Sequence, residues 1–171
     1  MKANFWSSAA VNGFLLALIT VVYTLFFAAF PMESKLAAFS LGLVKLIATV
    51  GVLYYFMKEF GKEHETYSYG DAFSYGLVVS LCSNIVIACY LVAQYTFIFP
   101  DSVDKMTEGM QKAYEQFNVD QSSVDMILKN LRLVLSLGPL VMYTFVGAIF
   151  SAIIASFVKK AEPVFGGDPQ E

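Results

Sequence analysis

The chain has 171 residues, 57% of them hydrophobic and 15% charged, with a formal net charge of -3. Soluble domains carry about 45–50% apolar and about 25% charged residues, so this composition excludes an ordinary soluble globule and describes one membrane domain over residues 1–171. The small net charge, with no basic stripe interleaved with aromatics, excludes a nucleic-acid partner.

Residues 9–30 form a nearly unbroken apolar run, interrupted only by Asn12, Thr20 and Thr24. About 20 such residues cross a hydrocarbon core of about 30 Å. The run exceeds the roughly 7–15 apolar residues of a secretory signal, so a retained first span is expected, ended by Pro31. Residues 36–57 form the second run, with Lys45 near its middle and Tyr54, Tyr55 and Phe56 at its end, where interfacial rings collect. A charged connection over 58–71 is expected to follow. The third run covers 73–99 and carries Asn84 and Gln94. Cys82 and Cys89 lie seven apart within it, about 10 Å along a helix. A disulfide needs Cα atoms within about 7 Å, so two buried, inert thiols are expected.

Residues 101–132 are the one long polar segment. Val103, Met106, Met110, Tyr114 and Phe117 recur at spacings of three and four, one apolar face of a helix. Asp101 is placed to cap it, and Asp104 lies near the positive end of its dipole. A turn over 118–121 and the capping-box pattern Ser122-x-x-Asp125 announce a second helix, making a short amphipathic hairpin. Its apolar positions Val124, Ile127, Leu128 and Leu131 lead into a fourth run over 133–158. Gly138-Pro139 should bend or interrupt that run. Lys159 and Lys160 end it, and 162–171, with two prolines and two glycines, reads as a flexible tail.

The expected fold is all-α: an antiparallel bundle of four membrane spans with an extracytoplasmic helical hairpin between the third and fourth. Lys2, Lys58, Lys62, Lys159 and Lys160 lie on one side of such a bundle. The positive-inside rule assigns that side, with both termini, to the cytoplasm. Lipid supplies no hydrophobic drive between helices, so seams of small residues are needed for close packing. Ala9, Gly13 and Ala17 form one such stripe. Ala38 and Gly42 begin a second, Gly76, Ser80, Asn84 and Ala88 form a third, and Gly147, Ser151 and Ala155 a fourth. A single stripe of this kind also suits a homo-oligomer.

Short words in the later spans carry a family resemblance. Residues 67–81 contain aromatics followed by Ala72-Phe73-x-x-Gly76. A Phe99-Pro100-Asp101 exit follows, and the chain closes on the stretch from Gly147 to Lys160. In this order and spacing they resemble the domain-of-unknown-function 4199 family, small four-helix membrane proteins found mostly in Bacteroidota. The resemblance implies an inner-membrane location and four spans. It implies no activity, substrate, cofactor or catalytic residue. Glu63-His64-Glu65-Thr66 stands where the family commonly has glycines, which leaves any role of that segment without support here.

Lys45 is the sharpest chemical feature. A lysine at mid-membrane costs on the order of 2.5–3.5 kcal/mol on the insertion scale, and no acid lies inside any span. Asn84, Gln94, Tyr90 or backbone carbonyls are the available acceptors, and snorkelling toward the interface is the plain alternative. Lys45, Asn84 and Gln94 are therefore the candidate intramembrane polar site, and the Val103, Met106, Met110, Tyr114 and Phe117 face is the candidate interaction surface. His64 between two glutamates reads as a solvated loop, and the acids of 101–125 lack a calcium-loop pattern. No catalytic residue, metal site or cofactor is expected. An accessory or interaction protein of the envelope leads, with the bilayer and a membrane-protein partner or a second copy as its associates. A small transporter or channel component, using Lys45, Asn84 and Gln94, is the alternative.

Overall fold

The computed structural model describes residues 4–30, 34–116 and 129–160. Among these the protein is all-helical: α1 (Phe5–Ala29), α2 (Lys35–Lys62), α3 (Tyr69–Ala93), α4 (Asp101–Gln116) and α5 (Leu131–Val158). A π-helical turn, Gln94–Ile98, extends α3. Four helices are long and apolar enough to span a bilayer: Phe5–Ala29, Leu36–Lys62, Tyr69–Ile98 and Leu133–Val158. They are apolar on every face, as helices surrounded by lipid and one another must be. Their outward rings and aliphatic chains, such as Leu36 at 77% and Phe157 at 76% exposure, suit hydrocarbon and not water.

The sequence boundaries shift where polar residues continue a helix. The connection expected over 58–71 begins only after Lys62, because α2 runs through Lys58, Glu59 and Lys62. Charged side chains leave the bilayer without leaving the helix, and Lys62 pairs with Glu59 one turn earlier. Ser68 then starts α3 with a capping box. Its hydroxyl accepts from Asp71 N at 3.1 Å and donates to Asp71 Oδ2 at 2.7 Å. Asp101 does not cap α4; it is its first helical residue. Val103 N donates to Pro100 O at 3.1 Å, so the turn begins one residue earlier. Asp101 and Asp104 still occupy the first turn, where the dipole favours acids. The helix over 131–158 is not interrupted at Gly138-Pro139; Pro139 lies inside α5. The proline removes one backbone donor, and hydrogen bonding continues on both sides. The turn at 118–121, the Ser122-x-x-Asp125 cap and the tail at 162–171 lie outside the described residues.

α3 is the central helix: 44% of its apolar window is buried, against 6% for α2. Small residues allow this. A Cβ on Gly13 would lie 2.6 Å from Cys82 Cβ. One on Gly76 would meet Ser151 Oγ at 2.7 Å, and one on Gly147 would meet Ser80 Cβ at 2.7 Å. At one end of the molecule Phe60 stacks on Tyr75 with ring centroids 3.9 Å apart. Tyr75 Oη accepts from Asn12 Nδ2 at 2.7 Å and lies 2.8 Å from Ser8 Oγ. These contacts hold α1, α2, α3 and α5 around shared apolar clusters.

Candidate functional site

The four spans do not close completely. They leave a half-enclosed cavity of about 460 Å³ among α1, α2, α3 and α5. α2 contributes Gly42, Lys45, Leu46, Thr49, Val50 and Leu53. These positions recur every three or four residues, so one face of α2 lines the space. Thr20 and Tyr23 enter from α1, Ser80, Ser83 and Asn84 from α3, and Tyr143 from α5.

Lys45 sits at this cavity between two aromatic faces. Its Nζ lies 5.1 Å from the ring centroid of Tyr23 and 5.1 Å from that of Tyr143. An ammonium over a ring face is stabilised by the ring quadrupole, by roughly 2 kcal/mol or more where water is excluded. Among the described residues Lys45 pairs with no carboxylate. The acceptors expected from the sequence are thus replaced by rings. The reason is rotational phase, which places Tyr23 and Tyr143 across the cavity from α2.

Asn84 is buried and its Nδ2 donates to Thr144 Oγ1 at 3.1 Å. The Thr144 hydroxyl in turn donates to Leu140 O at 2.7 Å. Thr20, Ser80 and Ser83 are each more than nine-tenths buried and line the cavity, yet their hydroxyls bond to no described residue. The hydroxyls themselves open onto the cavity, so three of them and a lysine share one half-open space without a protein partner.

Gln94 does not belong to this group. It is buried at the π-helical end of α3, where its Oε1 has no partner, and the nearby Tyr90 hydroxyl has none either. The structure therefore joins Lys45 to Asn84 and leaves Gln94 apart. Thr20, Tyr23, Ser83 and Tyr143 are site residues that the sequence reading missed. Thr20 and Tyr23, three apart in the first span, were its available signal.

Of the small-residue stripes, Ala9, Gly13, Ala17, Gly76, Ser80, Ala88, Ser151 and Ala155 are buried, and Gly147 is half-buried against Ser80. Of the expected face on α4, Val103 is buried, Met106 is exposed, Met110 and Tyr114 are half-buried, and Phe117 lies outside the described residues. Two expectations need correction. Cys82 is half-buried and Cys89 exposed, because Cys89 falls on the outer face of α3. His64 is not simply solvated: its ring packs 4.6 Å from Phe60, and its Nδ1 lies 2.9 Å from Phe60 O.

A second polar cluster lies at the end of α2. Lys160 Nζ donates to Gly61 O at 2.6 Å and to His64 O at 2.9 Å, while its backbone N donates to Tyr67 O at 2.9 Å. The Tyr67 ring covers Gly61, where any Cβ would lie 2.6 Å from it. Burial pushes the Tyr67 phenol up from its ordinary range, and its hydroxyl has no partner. These contacts tie the end of α5 to the connection between α2 and α3.

Four apolar spans in a helical bundle define a multi-pass membrane protein. Residues 12–160 match the family model described as "Protein of unknown function (DUF4199)". The chain belongs to that family, as the motifs at 67–81, 99–101 and 147–160 indicated. No curated protein and no solved structure matches it.

Proposed function

We propose that this is a non-enzymatic, inner-membrane protein that binds a small ligand within the bilayer, as a carrier or a component of a transport system. The observation that supports this is the convergence of Lys45 with Thr20, Ser80, Ser83 and Asn84 on one cavity. A lysine without a counter-charge in a span is a functional feature by default, and its surroundings here include the hydroxyls of Thr20, Ser80 and Ser83, which bond to no described residue. The bundle is read as antiparallel. Gly76, Ser80 and Asn84 on α3 meet Ser151, Gly147 and Thr144 on α5 in descending order. The lysine distribution favours cytoplasmic termini and an external 101–132 segment.

The test begins with protein purified from native membranes in mild detergent. Small molecules retained by the wild type are compared, by mass spectrometry, with those retained by Lys45→Met. A species lost from the variant is expected. Identical sets from both would overturn the reading.

A second reading, an accessory protein of the envelope, is favoured by α4. Its apolar face leaves Met106 exposed and Met110 half-buried. Under that reading, crosslinks from Met106 would recover a membrane-protein partner or a second copy, and Lys45→Met would not affect them.

A further inference from the structure

We propose that the cavity takes the carboxylate of a long-chain fatty acid, with the head at Lys45 and the chain along the apolar wall. This rests on reading the cavity as a binding site.

Charge comes first. Among the described lining residues Lys45 is the one ion, and no acid accompanies it. A single negative charge makes the site neutral, whereas a dianionic phosphate monoester leaves one charge uncompensated where charge is costly to bury. Donors come second. The Lys45 ammonium carries three N–H groups, and the Thr20, Ser80 and Ser83 hydroxyls have protons free for an acceptor. A carboxylate offers two oxygens with about four lone-pair sites, which suits several donors converging from different helices.

The rest of the wall decides what carries the carboxylate. Leu16, Leu46, Val50, Leu53, Ile87 and Phe150 make most of the lining apolar. A short, water-soluble acid would leave that surface unfilled. A volume of about 460 Å³ lies within the ordinary range of roughly 300–1,000 Å³ for small-ligand pockets and suits one chain, not the two chains of a phospholipid. α2, the least buried span, forms one wall of the half-open cavity, which on this reading a lipid-soluble ligand enters from the bilayer.

Binding of radiolabelled palmitate to the full chain in dodecyl maltoside tests this, with hexadecanol and hexadecyl phosphate as competitors. Saturable palmitate binding is expected. Lys45→Met should weaken it by about tenfold or more, the size of one hydrogen bond to a charged group. Hexadecanol and hexadecyl phosphate should each compete at least about tenfold less well than unlabelled palmitate. Gly42→Leu supplies an independent variant, since a Cβ there meets only Tyr23 Oη at 3.5 Å and a longer side chain extends into the cavity. It should abolish binding with Lys45 intact, provided that the variant melts as the wild type does.

Equal palmitate affinity in Lys45→Met, or equal competition by hexadecanol, would overturn the carboxylate. If Gly42→Leu blocked hexadecanol as well, the cavity would remain a ligand site for another class. No saturable binding of palmitate would also overturn the proposal. The native molecules retained through Lys45 would then decide whether the broader reading stands.

Discussion

Gly13→Ala is expected to loosen α1 from α3, although alanine is the better helix former. The added Cβ would lie 2.6 Å from Cys82 Cβ, 2.8 Å from Val79 O and 3.0 Å from Ser83 N. Two of these atoms are backbone and the third is fixed to it, so no rotamer change relieves the contact. The helices must separate, and the bonds to Tyr75 lie close by on α1, from Asn12 beside Gly13 and from Ser8 little more than a turn away. Overpacking of this kind costs about 1–3 kcal/mol. The helix preference of alanine over glycine returns about 1 kcal/mol at most. The net expectation is a loss of up to about 2 kcal/mol, which leaves the variant about 1–3 kcal/mol less stable than one gaining the helix preference alone. Gly51→Ala is the control, because nothing lies within 4 Å of its Cβ position and the helix preference acts alone. Reversible unfolding in mixed detergent micelles, followed by circular dichroism, gives both values. Gly13→Ala as stable as Gly51→Ala would refute the seam argument.

Ser68→Ala removes the capping box of α3 and should lower stability by about 1 kcal/mol in the same assay. Burial raises the Tyr67 phenol, so between about pH 10, where the unfolded chain releases that proton, and the higher folded value the native state holds more protons. Stability should therefore fall as pH rises above about 10, and melts of Tyr67→Phe should show less of that fall. At neutral pH Tyr67→Phe should be as stable as the wild type or more so, because the hydroxyl it removes has no partner. Lys45→Leu should match or exceed wild-type stability. At this half-open site each ring contact is worth about 0.5–1 kcal/mol, so the two only partly offset the insertion cost of a central lysine, about 2.5–3.5 kcal/mol. A large loss on melting would show that the ammonium has a structural role instead.

The spans were legible because an unbroken run of about 20 apolar residues matches the thickness of a bilayer core and little else in a chain this size. Their ends were not, since hydropathy marks where a helix leaves lipid and not where its hydrogen bonding stops. Lys58 to Lys62 show the difference, as polar residues that remain helical. The π-helical turn Gln94–Ile98 left no signal, because a change from i→i+4 to i→i+5 bonding has no side-chain pattern to mark it. Lys45 was legible as an anomaly, but its ring partners were not. Each span is apolar all round, so the sequence carries no clear phase to show which face meets which. The separation of Gln94 from Asn84 was legible in principle: ten residues on one helix place them about 15 Å apart.

The bundle divides into two kinds of contact, and they make opposite demands on sequence. Where α3 meets α1 and α5, glycines and serines bring backbones so close that almost any added atom clashes. Where α2 meets the others, space remains, and that space holds a lysine and three unpaired hydroxyls. Packing alone gives no reason for the second arrangement. Leucine at 45, or valine at 20, would remove polar groups that have no partner in the protein and would fill part of the void. The two regions are therefore separable by the sign of their mutational effects. Enlarging a residue of the α3 seams lowers stability, and its influence on a ligand is indirect. Replacing Lys45 or Thr20 by an apolar residue is expected to leave stability level or higher, because neither side chain hydrogen-bonds a described residue. That opposition is what the proposed binding site predicts: a loosely packed polar cavity set into a tightly packed scaffold.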